Sequence, residues 1–227
     1  MRLMFAALSL AGVGAVVAQT PVITPPVVLE LFTSQGCSSC PPADAFAEEL
    51  AKRSDLVVLT RSVTYWDRLG WKDSLGRQSN TDLQNAYARR GGEGSGVYTP
   101  QIMVQGSLGA VGSDRSKITD QVRRAKASQS AAIVAKGKIA GVSGTGGPAQ
   151  LSIVTFRPEV VVRIGSGENG GRTIRYTNVV VSEQVIGTWS GKTEAFTLPN
   201  TLPAAGLKQA LILQKEGAGV ILAGTYL

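Results

Sequence analysis

Apolar residues along this chain fall mostly in short runs between Gly-, Pro- and Ser-rich breaks, with helical spacing in only three places. Val27-Val28-Leu29-Glu30-Leu31-Phe32, bounded by Thr33-Ser34-Gln35-Gly36, predicts a buried strand that ends in a loop. Ala43, Phe46, Ala47 and Leu50 then predict a helix over about 41–53. Leu56-Val57-Val58-Leu59 predicts a second buried strand running towards Val63. Ser79 or Asn80 can cap a second helix carrying Leu83, Ala86 and Tyr87, which Gly91-Gly92 stops. Strands are expected at Gln101–Val104 and Leu108–Val111, followed by a third helix that opens after Gly112-Ser113 and carries Ile118, Val122 and Ala125. The predicted order is β-α-β-α-β-β-α.

The pattern changes from about residue 130. Ala132–Val134, Leu151–Val154, Val160–Val162, Asn178–Val181, Leu211–Leu213 and Val220–Leu222 are short and strand-like, with Gly-rich connections at 141–148 and 165–171. No long helical period occurs there, so a second, mostly antiparallel β domain is expected over 129–227. The Gly runs lack the Lys-Ser/Thr ending of a phosphate loop and read as hairpin connections.

At the start, Met1-Arg2 is followed by an apolar stretch from Leu3 to Val17, with Val16 and Ala18 at small-residue spacing. This predicts a signal peptide over 1–18 cut near Ala18, hence a periplasmic or secreted protein. The stretch is short for a bilayer span, and no stable membrane insertion is expected. The net charge of +7 is scattered. Its densest run, Arg123-Arg124 with Lys126, reads as a solvated helix face, so nucleic acid is not an expected partner. With 43% hydrophobic and 17% charged residues, the chain should bury a core. It contains no His, which removes Ser-His-Asp and Cys-His catalysis and nearly all ordinary zinc sites.

The two cysteines, Cys37 and Cys40, carry the chemistry. Their Cys-x-x-Cys spacing follows a strand and opens a helix, where free backbone N–H groups and the helix dipole stabilise a thiolate. Cys37 is expected to be the exposed attacking thiol and Cys40 the resolving one, exchanging with protein or small-molecule thiols and disulfides. A bridge closing so short a loop constrains little of the unfolded chain, which weakens the alternative of a structural staple or vestigial disulfide in a binding module. With no second ligand pair, no metal site and no cofactor is expected. A copper-carrier role would want His or a Met cluster beside the pair. Glu30, inside an apolar strand leading to the pair, is a candidate proton carrier for Cys40, or else the partner of a nearby Lys or Arg. Tyr65-Trp66-Asp67-Arg68-Leu69-Gly70-Trp71-Lys72-Asp73 leaves the same sheet edge, making Trp66, Asp67 and Trp71 candidate substrate contacts.

Phe32-Thr33-Ser34-Gln35-Gly36-Cys37-Ser38-Ser39-Cys40-Pro41-Pro42-Ala43-Asp44 resembles a family of secreted bacterial thioredoxin-like proteins catalogued only as a domain of unknown function. The resemblance continues through the Tyr65–Asp73 loop, Val97-Tyr98-Thr99-Pro100-Gln101, Gly167-Glu168-Asn169 and Thr177-Asn178-Val179-Val180. It implies an α/β thioredoxin-like fold over 19–128 followed by the smaller β domain. It also implies a cis Pro100 beside the dithiol, with the Thr99 backbone offered to an extended substrate chain. The family pattern commonly carries a His and an Asp before the Tyr-Trp-Asp segment, where this chain has Ser62 and Thr64. Glu30 and Asp67 are then the acid–base candidates near the pair.

Overall fold

The computed structural model describes residues 25–199 and 203–227. The expected signal peptide and its cleavage point near Ala18 lie outside the described residues.

The first apolar run forms β1 (Val27–Thr33), buried along its whole length. β2 (Leu56–Ser62) pairs parallel to it, and β3 (Gln101–Val104) pairs antiparallel on its other side, followed by β4 (Leu108–Val111). Both faces of β1 are covered, which explains its continuous apolar pattern. Val27, Leu29 and Leu31 pack against Phe46, Ala47 and Leu50 of α1 (Pro41–Ala51) and Ile118 and Val122 of α3 (Arg115–Ala127). On the opposite face, Phe32 packs with Tyr87 of α2 (Gln78–Arg90). Burying Phe46 and Leu50 contributes about 2 kcal/mol each. Helix α1 begins with Pro41 and Pro42, whose fixed φ suits a first turn and whose missing N–H groups are not needed there. Helix α3 is capped by Asp114, which accepts from the Lys117 N–H at 3.0 Å.

Past α3 come β5 (Ala131–Lys136), β6 (Ile139–Gly144), β7 (Ala149–Arg163), β8 (Thr173–Trp189), β9 (Glu194–Thr197), β10 (Lys208–Gln214) and β11 (Ile221–Tyr226). β5, β6 and β9 make a three-stranded sheet. The others join the first-half strands in one eight-stranded mixed sheet ordered β11-β10-β7-β8-β2-β1-β3-β4. Its far edge also supplies cover: Ala210, Ile212 and Ile221 pack with Val28, Val57 and Leu59. The Gln105 side chain ties the two together, accepting from the Val28 N–H at 2.7 Å and donating to the Ile221 carbonyl at 3.1 Å.

This architecture overturns the expectation of an α/β thioredoxin-like fold followed by a smaller β domain. Eleven strands against three α-helices make the described residues mostly β. Strands from both halves of the chain form a single sheet, with β8 lying parallel to β2 and pairing at Thr60 and Val179. The physical reason is the outer edge of β2. Its ladder groups and the apolar faces around Val57 and Leu59 need partners, and β8 provides them.

The runs 151–154 and 160–162, read separately from the sequence, belong to the one long strand β7. Pro158 between them falls beyond Phe156, the last β7 residue paired with β10, so its missing N–H costs that ladder nothing. None of the helices among the described residues is long and apolar enough to cross a membrane.

Candidate functional site

The chain leaves β1 into a tight turn. The Cys37 N–H donates to the Ser34 carbonyl at 3.2 Å, and the Cys40 N–H to the Cys37 carbonyl at 3.1 Å. Cys40 is the N-cap residue of α1, and a disulfide joins it to Cys37 across a Cα–Cα distance of 5.4 Å. Both cysteines are fully buried, whereas Ser38 and Ser39 between them are exposed. The expected solvent-exposed Cys37 is therefore covered in the oxidised protein.

Much of what surrounds the turn comes from the tip of the β7–β8 hairpin, residues 164–172. Asn169, 1% exposed, donates to the carbonyls of Gln35 at 3.0 Å and Cys37 at 2.8 Å. Arg172 donates to the Asn169 side-chain oxygen at 2.8 Å and so fixes which end of the amide faces the turn. The Ser38 N–H donates to Glu168 Oε2 at 3.0 Å. Hydrogen bonding from Ser38 holds the Glu168 carboxyl below its usual range.

The tryptophan loop frames the same turn. Trp66 donates to Thr99 Oγ1 at 2.8 Å, and its Cβ lies 3.2 Å from where a Cβ on Gly36 would sit. It thus links Thr99 to the turn before Cys37, and the Thr99–Pro100 peptide bond is cis. Trp71 donates to Gln35 Oε1 at 2.8 Å and packs on the hairpin tip so closely that a Cβ on Gly165 would lie 2.9 Å from its ring. Asp67 opens a single 3₁₀ turn, Asp67–Leu69, and accepts from the Asp73 N–H at 3.0 Å. Asp73 in turn accepts from the Gln35 N–H at 2.8 Å. Asp67 therefore organises the loop through Asp73.

Of the residues singled out from sequence, Cys37, Cys40, Trp66, Asp67, Trp71, Thr99 and Pro100 are brought to this end of β1. Glu30 is not. It projects to the face opposite α1, where Arg61 donates to Oε1 at 2.6 Å and the Tyr87 hydroxyl to Oε2 at 2.5 Å. Arg61 also reaches Glu183 at 2.8 Å. Burial works against the Arg61 charge, and the carboxylates of Glu30 and Glu183 outweigh it. Glu30 thus meets the paired alternative foreseen for it.

The acid closest to the dithiol in the chain is one that sequence reasoning passed over. Asp44 lies one helical turn after Cys40, on the same face of α1. It is 2% exposed. Thr33 Oγ1 donates to its Oδ1 at 2.8 Å, whereas Oδ2 has no partner among the described residues. Burial pushes its pKa up to about 8, against the Thr33 hydrogen bond and with a further push from Asp73. Asp73 is itself raised by burial, partly offset by the N–H groups of Gln35 and Leu75. The Tyr176 hydroxyl of β8, also buried without a partner among the described residues, is raised by burial and then by Asp44 and Asp73. An acid among Ala43, Phe46, Ala47 and Leu50 was a legible signal, as was Gly167-Glu168-Asn169 for the hairpin tip.

Together these features define a class: a mixed-sheet protein with a buried Cys-x-x-Cys disulfide at a helix N-terminus, enclosed by a hairpin tip and a tryptophan loop. More narrowly, the chain belongs to the family described as "Protein of unknown function (DUF1223)", which matches residues 28–214. It is similar to a crystal structure of an Agrobacterium tumefaciens protein at 30% identity and a TM-score of 0.74, covering 88% of this chain and 93% of that one. It is also similar in fold to HBP35 of Porphyromonas gingivalis, at 15% identity and a TM-score of 0.55, covering 90% of this chain and 75% of that one. No curated protein matches it.

Proposed function

We propose that this chain is a periplasmic or secreted thiol–disulfide oxidoreductase whose working pair is Cys37 and Cys40. The observation that carries the reading is the position of the disulfide at the start of α1, closing a loop with a sequence separation of 3. Loop-closure entropy gives a bridge of that size about 2 kcal/mol, a weak return for a purely structural role.

In the reducing direction, the Cys37 thiolate attacks a substrate disulfide. The substrate S–S bond breaks, a Cys37–substrate disulfide forms, and the first substrate thiolate leaves and takes a proton. Cys40, deprotonated, then attacks Cys37 Sγ. The Cys37–Cys40 bond forms and the second substrate thiolate leaves, so the substrate gains two electrons and the protein pair loses two. An external thiol of the glutathione class, or a dithiol, restores the reduced pair. The exchange partners are protein or small-molecule thiols and disulfides, and Thr99 with Pro100 offers a backbone docking point beside them.

Full burial of both cysteines favours a second reading, a binding module with a structural or vestigial bridge. Equilibration with glutathione separates the two. A reversible transition in the folded chain, lost in Cys37→Ser with folding intact, supports the oxidoreductase. A pair that stays oxidised in strong thiol excess, or loss of the fold in Cys37→Ser, leaves the structural bridge.

A further inference from the structure

A thiolate at a helix start is stabilised by backbone N–H groups that have no other partner. The Ser39 hydroxyl, 3.4 Å from Cys37 Sγ, is a further group able to donate to it, but few of those backbone donors are free here. Pro41 and Pro42 have none, and the N–H groups of Ala43 and Asp44 both donate to the Cys40 carbonyl, at 2.8 and 3.1 Å. The Cys40 N–H is used by the Cys37 carbonyl. The Ser38 N–H, in the residue directly after Cys37, is held by the Glu168 carboxylate at 3.0 Å. Glu168 therefore does two things at once: it occupies a donor beside Cys37 and places a full negative charge there. Asn169 anchors the same segment to the Cys37 carbonyl at 2.8 Å, so this placement is part of the packed site.

We propose that the tip of the β7–β8 hairpin is a working part of the dithiol site, with Glu168 restraining the reactivity of Cys37 by holding the Ser38 N–H and opposing the thiolate's charge. This rests on the reading of Cys37 as the attacking thiol and adds a positioning residue that acts through the Ser38 backbone. The other ionisable groups on the elements around the turn are Arg172 on the hairpin, Tyr65, Asp67, Arg68, Lys72 and Asp73 on the tryptophan loop, Asp44 on α1 and Tyr176 on β8. Of the cations, Arg172 is bonded to Asn169, and Arg68 and Lys72 are exposed on the loop. Removing the Glu168 charge thus leaves the balance at the turn more favourable to a thiolate. A restrained attacking thiol also makes the reduced pair the better electron donor, because thiolate stability in the reduced form is what makes a dithiol oxidising.

The test is a thiolate titration of the reduced full chain carrying Cys40→Ser, so that Cys37 alone titrates. Ultraviolet thiolate absorbance is followed against pH with Glu168 intact and with Glu168→Gln, which keeps the side-chain shape and removes the charge. The midpoint should fall by at least about half a unit in the variant, roughly a threefold gain in ionised thiol well below the midpoint. Added potassium chloride should narrow the gap between the two midpoints, since salt screens the charge that only the protein with Glu168 intact carries. An unchanged or higher midpoint in Glu168→Gln, or a gap between the two midpoints that salt does not narrow, overturns the proposal. The titration needs no disulfide exchange. Failure to equilibrate with glutathione alongside a shifted midpoint counts against the oxidoreductase reading alone, and an unshifted midpoint counts against the role of Glu168 alone.

Discussion

Asp44→Asn should raise stability at neutral pH and remove most of the pH dependence of folding between about pH 4 and pH 8. The carboxyl is fully buried, its ordinary value of 3.8 is pushed up to about 8, and no cation pairs with it among the described residues. Between those values the unfolded chain has released the proton and the native chain still binds it. The unfolded state then binds fewer protons, so stability falls as pH rises, by about 1.4 kcal/mol per unit for a single group. Across the whole window the penalty is on the order of 5 kcal/mol. Below about pH 4 both states are protonated and the penalty vanishes; above about pH 8 it is complete. Asn reproduces the neutral form, with its side-chain oxygen still accepting from Thr33 Oγ1. Urea unfolding of the oxidised protein at about unit steps from pH 5 to pH 8, with and without the substitution, measures both slopes. The same slope in parent and variant, with no gain for Asp44→Asn at about pH 8, would refute the assignment of this titration to Asp44.

Asn169→Ala leaves the Gln35 and Cys37 carbonyls without their hairpin donor, which should cost about 1–3 kcal/mol and speed alkylation of Cys37 in a Cys40→Ser background. Equal alkylation rates would mean that the hairpin tip does not limit access. Arg61→Met strands Glu30 in the interior and should cost about 3–5 kcal/mol in urea unfolding, with part recovered when Glu30→Gln is added. Because Glu30 faces away from α1, Glu30→Gln alone should leave the glutathione equilibrium of the dithiol unchanged; a shifted midpoint would return Glu30 to the proton pathway. Trp66→Phe removes the hydrogen bond to Thr99 and should cost about 1 kcal/mol, read from the urea midpoint.

What could be read before the structure was local. The apolar run at Val27–Phe32, the spacing of Phe46, Ala47 and Leu50, and the turn chemistry around Gly91-Gly92 specify elements within their own windows. The three helices form near where their spacing predicts, although α2 starts at Gln78 with Arg77, not Ser79 or Asn80, at its N-cap. Strand pairing across the chain is different, because β8 meets β2 through the distant residues Thr60 and Val179, and nothing in either apolar run encodes its partner. The runs 151–154 and 160–162, read as separate, are one strand for the same reason, with Pro158 between them where one side of β7 is unpaired. At the site, Cys37 and Cys40 were legible because their spacing is short. Glu30 drew attention as a charge in a strand, but its partner Arg61 sits in the next strand at a register no one-dimensional pattern reveals. Asp44 has the Thr33 hydroxyl but no cation beside it among the described residues, whereas Glu30 has the Arg61 guanidinium as well as the Tyr87 hydroxyl. Burial without a cation pushes the Asp44 carboxyl up.

The hairpin tip makes the two halves of the chain chemically dependent on each other. The disulfide turn comes from residues 37–40, but the donors that satisfy its carbonyls and the carboxylate on its amide come from residues 168 and 169. The same hairpin gives β2 its outer neighbour. Near the end of β11, the Tyr226 hydroxyl adds a second tie to β2, accepting from the Val58 N–H at 2.8 Å and donating to the Val58 carbonyl at 3.2 Å. A chain ending after α3 would keep both cysteines and lose every one of these contacts. Its β2 edge would be bare, and the Gln35 and Cys37 carbonyls would lose their Asn169 donor. The second half is therefore better understood as the wall of the disulfide turn than as an addition to it.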